Sequence, residues 1–246
     1  MMVVGGTVLL IVAVIFLATL IRSAFGFGEA LVAVPLLALV LPVETAAPLA
    51  VLVSITVAAV ILAQDWHKVH LRSASWLVFS TLLGIPLGLW LLVAVAEAVV
   101  KIILAVVIIA FSTYCLVSQR RLELKGDGLA WFFGFLAGVL GGAYGMNGPP
   151  LVIYGALRRW KPEHFRATLQ GYFLPASAVG MVGYWLTGLW GAEVTHYYLL
   201  SLPAALAAVF LGRAVNRRLD GRRFLRYVHI GLIVIGVVLL AQALGR

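Results

Sequence analysis

The stretch GGAYGMNGPP, residues 141–150, lies in the middle of a charge-free run that extends over residues 128–157. Its glycines leave the backbone flexible and its two prolines remove backbone donors, so one continuous helix through it is disfavoured. The run is too long for a single membrane span and too short for two, at about 20 residues per span. Two arms of about 15 residues, each about 22 Å long, reach only part-way through a hydrocarbon core about 30 Å thick. The reading is a broken or re-entrant helical hairpin. Non-helical backbone at such depth survives only when it is buried in protein or lines a polar cavity.

The rest of the chain supports a membrane solvent. Of its 246 residues, 63% are hydrophobic and 11% charged, and the mean hydropathy is +1.10. A soluble domain cannot hide that much apolar surface. The N-terminal MMVVGGTVLLIVAVIFLATLI has no basic leader and too long an apolar run for a signal peptide, so it is expected to be retained. A single cysteine, Cys115, excludes an intramolecular disulfide and is expected to pack. The net charge of +9 raises the question of a nucleic-acid partner. The placement of the charges argues for membrane orientation instead.

Six charge-free runs suit single spans: 45–64, 73–96, 102–119, 167–192, 194–212 and 227–245. With 128–157 returning to its own side, four basic loops fall together. They hold Lys68 and Arg72; Arg120, Arg121 and Lys125; Arg158, Arg159, Lys161 and Arg166; and the arginines from Arg213 to Arg226. The positive-inside rule makes that side cytoplasmic. Glu44, Glu97 and Glu193 then lie on the other side, and both termini are expected outside the cytoplasm. Making each hairpin arm a full span gives the same parity, so that version stays open.

An offset of 119 residues places Phe25-Gly26-Phe27 on Tyr144-Gly145-Met146 and Val43-Glu44 on Pro162-Glu163. The same offset matches a short apolar arm, a break and a longer apolar helix. The expected fold is an all-α polytopic membrane protein of two inverted repeats, each a broken or re-entrant helical hairpin plus three transmembrane helices. The first repeat covers 1–119, with its hairpin over about 9–43. The second covers 120–246. Inverted repeats whose broken helices meet near the midplane are the architecture of many secondary transporters.

Several motifs carry a family resemblance. GFGEALVAVPLLALVLPVETAAPLAVLVS (26–54), GIPLG (84–88), GFLAGVLGGAYGMNGPPLVIYGAL (134–157) and HFRATLQGYF (164–173) together resemble the sulfite exporter TauE/SafE family. The resemblance covers nearly the whole chain and implies an inner-membrane carrier of small anions: sulfite, sulfonates such as sulfoacetate, and related organic acids. It also implies coupling to an ion gradient. Where many members carry another glycine in the first tip, this chain has Glu29, which suggests either its own substrate or a proton-coupling carboxylate.

The candidate site gathers at the two tips. Arg22 at membrane depth costs a few kcal/mol on insertion scales. It is read as an anion ligand, a structural partner of Glu29, or a side chain snorkelling to the interface. Glu29 is read as a proton carrier, as the partner of Arg22, or as a carboxylate favoured at a helix N-terminus. Gly26, Gly28, Gly145 and Gly148 make the turns. Asn147 and the half-helix N-terminus after it offer an anion site, with Pro149 and Pro150 suited to the first turn. Arg166, Thr168 and Gln170 follow at the start of the next span and are candidate ligands; the alternatives are an interfacial charge for Arg166 and bonds to neighbouring helices for Thr168 and Gln170. Ser54 and Thr56 occupy the equivalent place in the first half.

His67 and His70 flank Lys68 near Asp65 without further ligands, so no metal is expected. No Walker A, GxSxG or HExxH motif is present, no cofactor is expected, and the driving force is expected to be a gradient. The reading is a secondary transporter rather than an enzyme, with an anion channel and a membrane-embedded enzyme as the other classes. Expected partners are a small anionic substrate, the lipid bilayer, a co-transported proton or cation, and a second copy in a homodimer. Nucleic acid is not expected.

Overall fold

The structure, a computed structural model, describes residues 2–65, 71–117, 123–124, 126–160, 162–216 and 221–245. Among them are ten helices and no strand: α1 (Met2–Phe25), α2 (Glu29–Leu37), α3 (Val43–Asp65), α4 (Leu71–Ala94), α5 (Glu97–Val117), α6 (Ala130–Tyr144), α7 (Gly148–Leu157), α8 (Pro162–Leu186), α9 (Ala192–Asn216) and α10 (Gly221–Leu244). Lys68, Arg120, Arg121, Lys125, Lys161 and the histidines His67 and His70 lie outside the described residues, and so do the side chains of Arg72 and Arg166.

Both expected breaks are present. The chain leaves α1 at Gly26 and enters α2 through Gly28, with φ of 86° and 99°. It leaves α6 at Gly145, where φ is 65° and the N–H closes on the Gly141 carbonyl at 2.8 Å. These left-handed conformations are accessible to glycine at little cost, which is why the breaks fall there. Pro149 and Pro150 occupy the first turn of α7, where a missing donor leaves no helical bond unmade.

Among the described residues, six helices are long and apolar enough to cross a membrane: Gly6–Phe25, Val43–Ala63, Ala74–Ala94, Glu97–Val117, Ala192–Ala214 and Arg226–Leu244. Two differences from the sequence reading have clear causes. Helix α1 starts at Met2 rather than near residue 9, because no proline interrupts the apolar segment before Arg22 and Gly5 and Gly6 are accommodated in its first turns. Helix α8, though 25 residues long, is less apolar than the six, because its buried side carries Thr168, Gln170 and Ser177. Helices α6 and α7, at 15 and 10 residues, remain the short arms.

The most extensive helix contact joins α4 to α6. It is a small-residue interface in which backbones touch. A Cβ added to Gly84 or Gly88 would overlap the carbonyls of Phe135 or Val139, and one on Gly138 or Gly142 those of Thr81 or Ile85. The next most extensive joins α1 to α9, where Gly212 lies against Leu20 and Ser23, and the Ser23 hydroxyl donates to the Val209 carbonyl at 2.5 Å. Helix α5 packs on α10, and α3 on α8. Both tip-bearing arms are thus fastened to a long helix from elsewhere in the chain. The far end of α7 is tied down as well: Tyr154 donates to Asp127 at 2.7 Å, and Arg158 pairs with Asp127 at 3.3 Å.

Around this core the outward faces are apolar. Trp76, Phe79, Leu83 and Trp90 of α4 are each more than half exposed, as are Trp131 of α6 and Trp185 of α8. Large aromatic and aliphatic side chains exposed over whole helix faces suit lipid rather than water as the surrounding medium.

The glycine interface makes a direct prediction. Gly138→Ala forces backbones apart and should lower the thermal midpoint of the purified protein, at a cost of about 1–3 kcal/mol from overpacking. Gly231→Ala meets no atom within 4 Å and should leave the midpoint unchanged or raise it slightly. Equal behaviour of the two variants would contradict the close packing.

Candidate functional site

Arg22 occupies the last turn of α1 and is 2% exposed. A guanidinium is permanently charged and offers five donors in a rigid fork, so in such surroundings it must be met by acceptors. Three other helices supply them. Nη1 donates to Glu29 Oε2 across the break and to Ser54 Oγ of α3 at 2.7 Å. Nε and Nη2 both donate to Gln170 Oε1 of α8, at 3.3 and 2.8 Å. The Phe173 ring covers the guanidinium, with its centroid 4.9 Å from Cζ. That places a cation over an aromatic face, an attractive arrangement.

Glu29 is the first residue of α2, where the helix dipole favours a negative charge, and it is equally buried. Its second oxygen accepts from Thr19 Oγ1 at 2.9 Å. Thr19 and Arg22 are one helical turn apart on α1 and so share a face. Both carboxylate oxygens are therefore occupied, one by the cation and one by a hydroxyl. Gln170 does double work: while its oxygen accepts from Arg22, its amide nitrogen donates to the Gly26 carbonyl at 2.7 Å. The polar chain continues from Ser54 to Ser177 of α8, with the hydroxyls 3.3 Å apart.

The second tip meets the first across a small cavity. Arg22, Gly28, Glu29, Ser54, Gly145, Asn147 and Gly148 line it, with Phe27, Leu31, Met146, Pro149 and Phe173 as its apolar walls. About 20 Å³ of it is open to the centre of a water molecule. That is room for about one water. Asn147 is 5% exposed and packs on Gly141, where a Cβ would strike its amide. Its nitrogen reaches the Tyr172 hydroxyl at 3.5 Å. Tyr172 in turn lies 2.5 Å from Thr81, which donates to the Gly134 carbonyl at 2.8 Å. Because the Thr81 proton is committed to that carbonyl, Tyr172 donates to Thr81 and its oxygen is left to accept from Asn147. Tyr184 satisfies the end of α6, donating to the Gly141 and Gly142 carbonyls at 3.1 and 2.9 Å.

Eight of the residues singled out from the sequence thus come together on one cavity: Arg22, Gly28, Glu29, Ser54, Gly145, Asn147, Gly148 and Pro149. Three stand apart from its wall. Gly26 presents its carbonyl to Gln170, Gln170 clamps Arg22, and Thr168 is buried within α8. The Arg166 side chain is outside the described residues. Thr19, Phe173 and Ser177 belong to the cluster but carry little sequence signal. Only the spacing of Thr19 to Arg22, and the place of Phe173 one turn after Gln170, point to them. Among the described residues no three His, Cys, Asp or Glu side chains are grouped to hold a metal ion.

Comparison with known proteins bears on this arrangement. The family model described as Sulfite exporter TauE/SafE matches residues 11–239. The probable sulfite/organosulfonate exporter TauE of Cupriavidus necator is 25% identical over 228 residues, which cover 91% of this chain and 89% of that protein. No solved structure matches the chain. The family match runs from within α1 to within the last turns of α10 and takes in both broken tips, so the chain belongs to the TauE/SafE sulfite exporter family of membrane transport proteins.

Proposed function

We propose that the protein is a secondary transporter of a small anion, namely sulfite, an organosulfonate or a related organic acid, with a proton as the coupled ion. The observation that carries this reading is the buried Arg22–Glu29 pair on the wall of a cavity shared by both tips. Arg22 is the anion ligand, since a guanidinium matches sulfite, sulfonate and carboxylate oxygens two at a time. Asn147 and the first turn of α7 face it as the second contact, with Gly28, Gly145 and Gly148 leaving room for close backbone approach.

Charge balance supplies the coupling. In the described conformation Glu29 already neutralises Arg22, and an incoming anion competes for the same donors. Two unit charges about 4 Å apart interact by about 4 kcal/mol at an effective dielectric constant of 20. Placing a second anion beside an ionised Glu29 therefore opposes binding by a comparable amount. A proton on Glu29 removes that opposition, frees Arg22 for the substrate and restores the original net charge. Anion and proton thus load together and move together, down their combined gradients.

The pairing of helices supports the repeat reading. In the offset of 119 residues α1 corresponds to α6 and α4 to α9. The α4–α6 and α1–α9 contacts are then the same contact made twice, with each arm seated on a span of the other half. The α3–α8 and α5–α10 contacts are each of one element with its own counterpart. We therefore assign 1–119 and 120–246 as inverted repeats in the inner membrane, with both termini outside the cytoplasm. Alternating access then moves one bundle against the other around the tips.

Four outcomes test this reading. Arg22→Lys, which keeps a charge opposite Glu29 but loses the two-pronged grip, should reduce sulfite or sulfoacetate uptake into proteoliposomes at least tenfold while the protein remains folded, and normal uptake would remove the ligand role. Glu29→Gln should flatten the pH dependence of uptake that the wild type displays, and an unchanged profile would remove the proton role. In a Cys115→Ser background, Glu193→Cys should react with an impermeant thiol reagent from outside intact cells and Arg158→Cys should not. The reverse pattern would invert the topology. Saturable counterflow, stimulated by substrate on the far side, separates a carrier from a channel.

A further inference from the structure

A second cleft lies far from the tips, where the start of α5 meets the end of α10 and the residues after α2. Leu39, Glu97, Ala98, Lys101 and Gln242 line it, and about 360 Å³ is open to the centres of water molecules. That is far more than the cavity beside Arg22 offers. Lys101 sits one turn inside the apolar helix α5, at the end of the α5–α10 pair opposite Arg226. Its side chain is only 12% exposed. An ionisable group held that way within a span calls for a partner. One of its three donors goes to Glu97 Oε1 at 3.0 Å. Glu97 is 45% exposed, and an exposed pair of this kind contributes little stability by itself.

We propose that this cleft binds the headgroup of a zwitterionic phospholipid carrying a primary ammonium, a phosphoethanolamine lipid. The charges are complementary in the right order: the remaining Lys101 donors take phosphate oxygens, the Glu97 carboxylate accepts from the ammonium, and the exposed Gln242 amide can serve either. The rim is apolar. Val40, Val99 and Leu244, next in sequence to lining residues, are 47%, 44% and 74% exposed. Acyl chains use such a rim and a free ion does not, which selects the lipid over a soluble phosphate. A quaternary ammonium cannot donate to Glu97, and an anionic headgroup would meet its charge unfavourably.

The test uses the purified, delipidated full chain in detergent, titrated with phosphatidylethanolamine, phosphatidylglycerol, phosphatidylcholine and free phosphoethanolamine. Lipid occupancy is read by native mass spectrometry and the thermal midpoint is read in parallel, since a bound ligand raises apparent stability. Phosphatidylethanolamine should bind at least tenfold tighter than the other two lipids, and Lys101→Met and Glu97→Gln should each lose at least tenfold of that affinity. Gln242→Leu, at an exposed position, should give a smaller loss and stands in if Lys101→Met does not fold. Equal binding of all three lipids, undiminished binding by Glu97→Gln and Gln242→Leu, or free phosphoethanolamine binding as tightly as the lipid would each overturn the proposal.

Discussion

A permanent positive charge buried in a lipid-solvated protein is the constraint around which the rest is arranged. Arg22 keeps its charge and is withdrawn from bulk water where it sits, so most of its donors must be met by acceptors from the protein. That requirement draws α1, α2, α3 and α8 to one point. Glu29 brings the opposite charge, Ser54 a hydroxyl, Gln170 a carbonyl oxygen used twice, and Phe173 a ring face. Removing one partner of such a buried pair is strongly destabilising, because it leaves the other charge uncompensated. In the transport cycle that we propose, the same property makes the cluster a switch. It tolerates an exchange of one anion for another but not the loss of both.

Holding two helix ends around that charge is a packing problem, and glycine solves it in two ways. At Gly26, Gly28 and Gly145 it turns the backbone with positive φ, so that α2 and α7 can begin beside the cavity. Along Gly84, Gly88, Gly138 and Gly142 it removes side chains altogether, so that α6 lies with its backbone against α4. The first use creates the tips and the second keeps them in register. Hydroxyl networks finish the work: Tyr184 caps the carbonyls that end α6, and Tyr172 links Asn147 through Thr81 to Gly134.

Much of this was legible in the sequence because the physics is local there. The spacing of charges bounds the helices, glycine and proline mark the breaks, and an arginine stranded in an apolar run announces a polar site. Gln170 shows where that reading stops. A polar residue in an apolar helix is visible at once, yet its choice of Arg22 and Gly26, rather than a substrate, depends on how α8 packs against α1, which no local pattern encodes. Thr19 and Ser177 are less visible still, since a hydroxyl in a membrane helix commonly bonds to its own backbone. Helix α8 illustrates the converse: its lower apolarity is the imprint of the site it lines.

Two of the partners of Arg22 differ in when they become available. Glu29 lies 7 residues along the chain and Gln170 lies 148. At about 5–20 residues per second, synthesis reaches Gln170 roughly 7–30 s after Arg22. For that interval the first hairpin must exist in the membrane without the clamp that later fixes it. Glu29, with Thr19 already in place on the preceding turn, neutralises Arg22 from the outset. The pair that we assign to transport in the finished protein is thus also the first charge pairing that the growing chain offers Arg22.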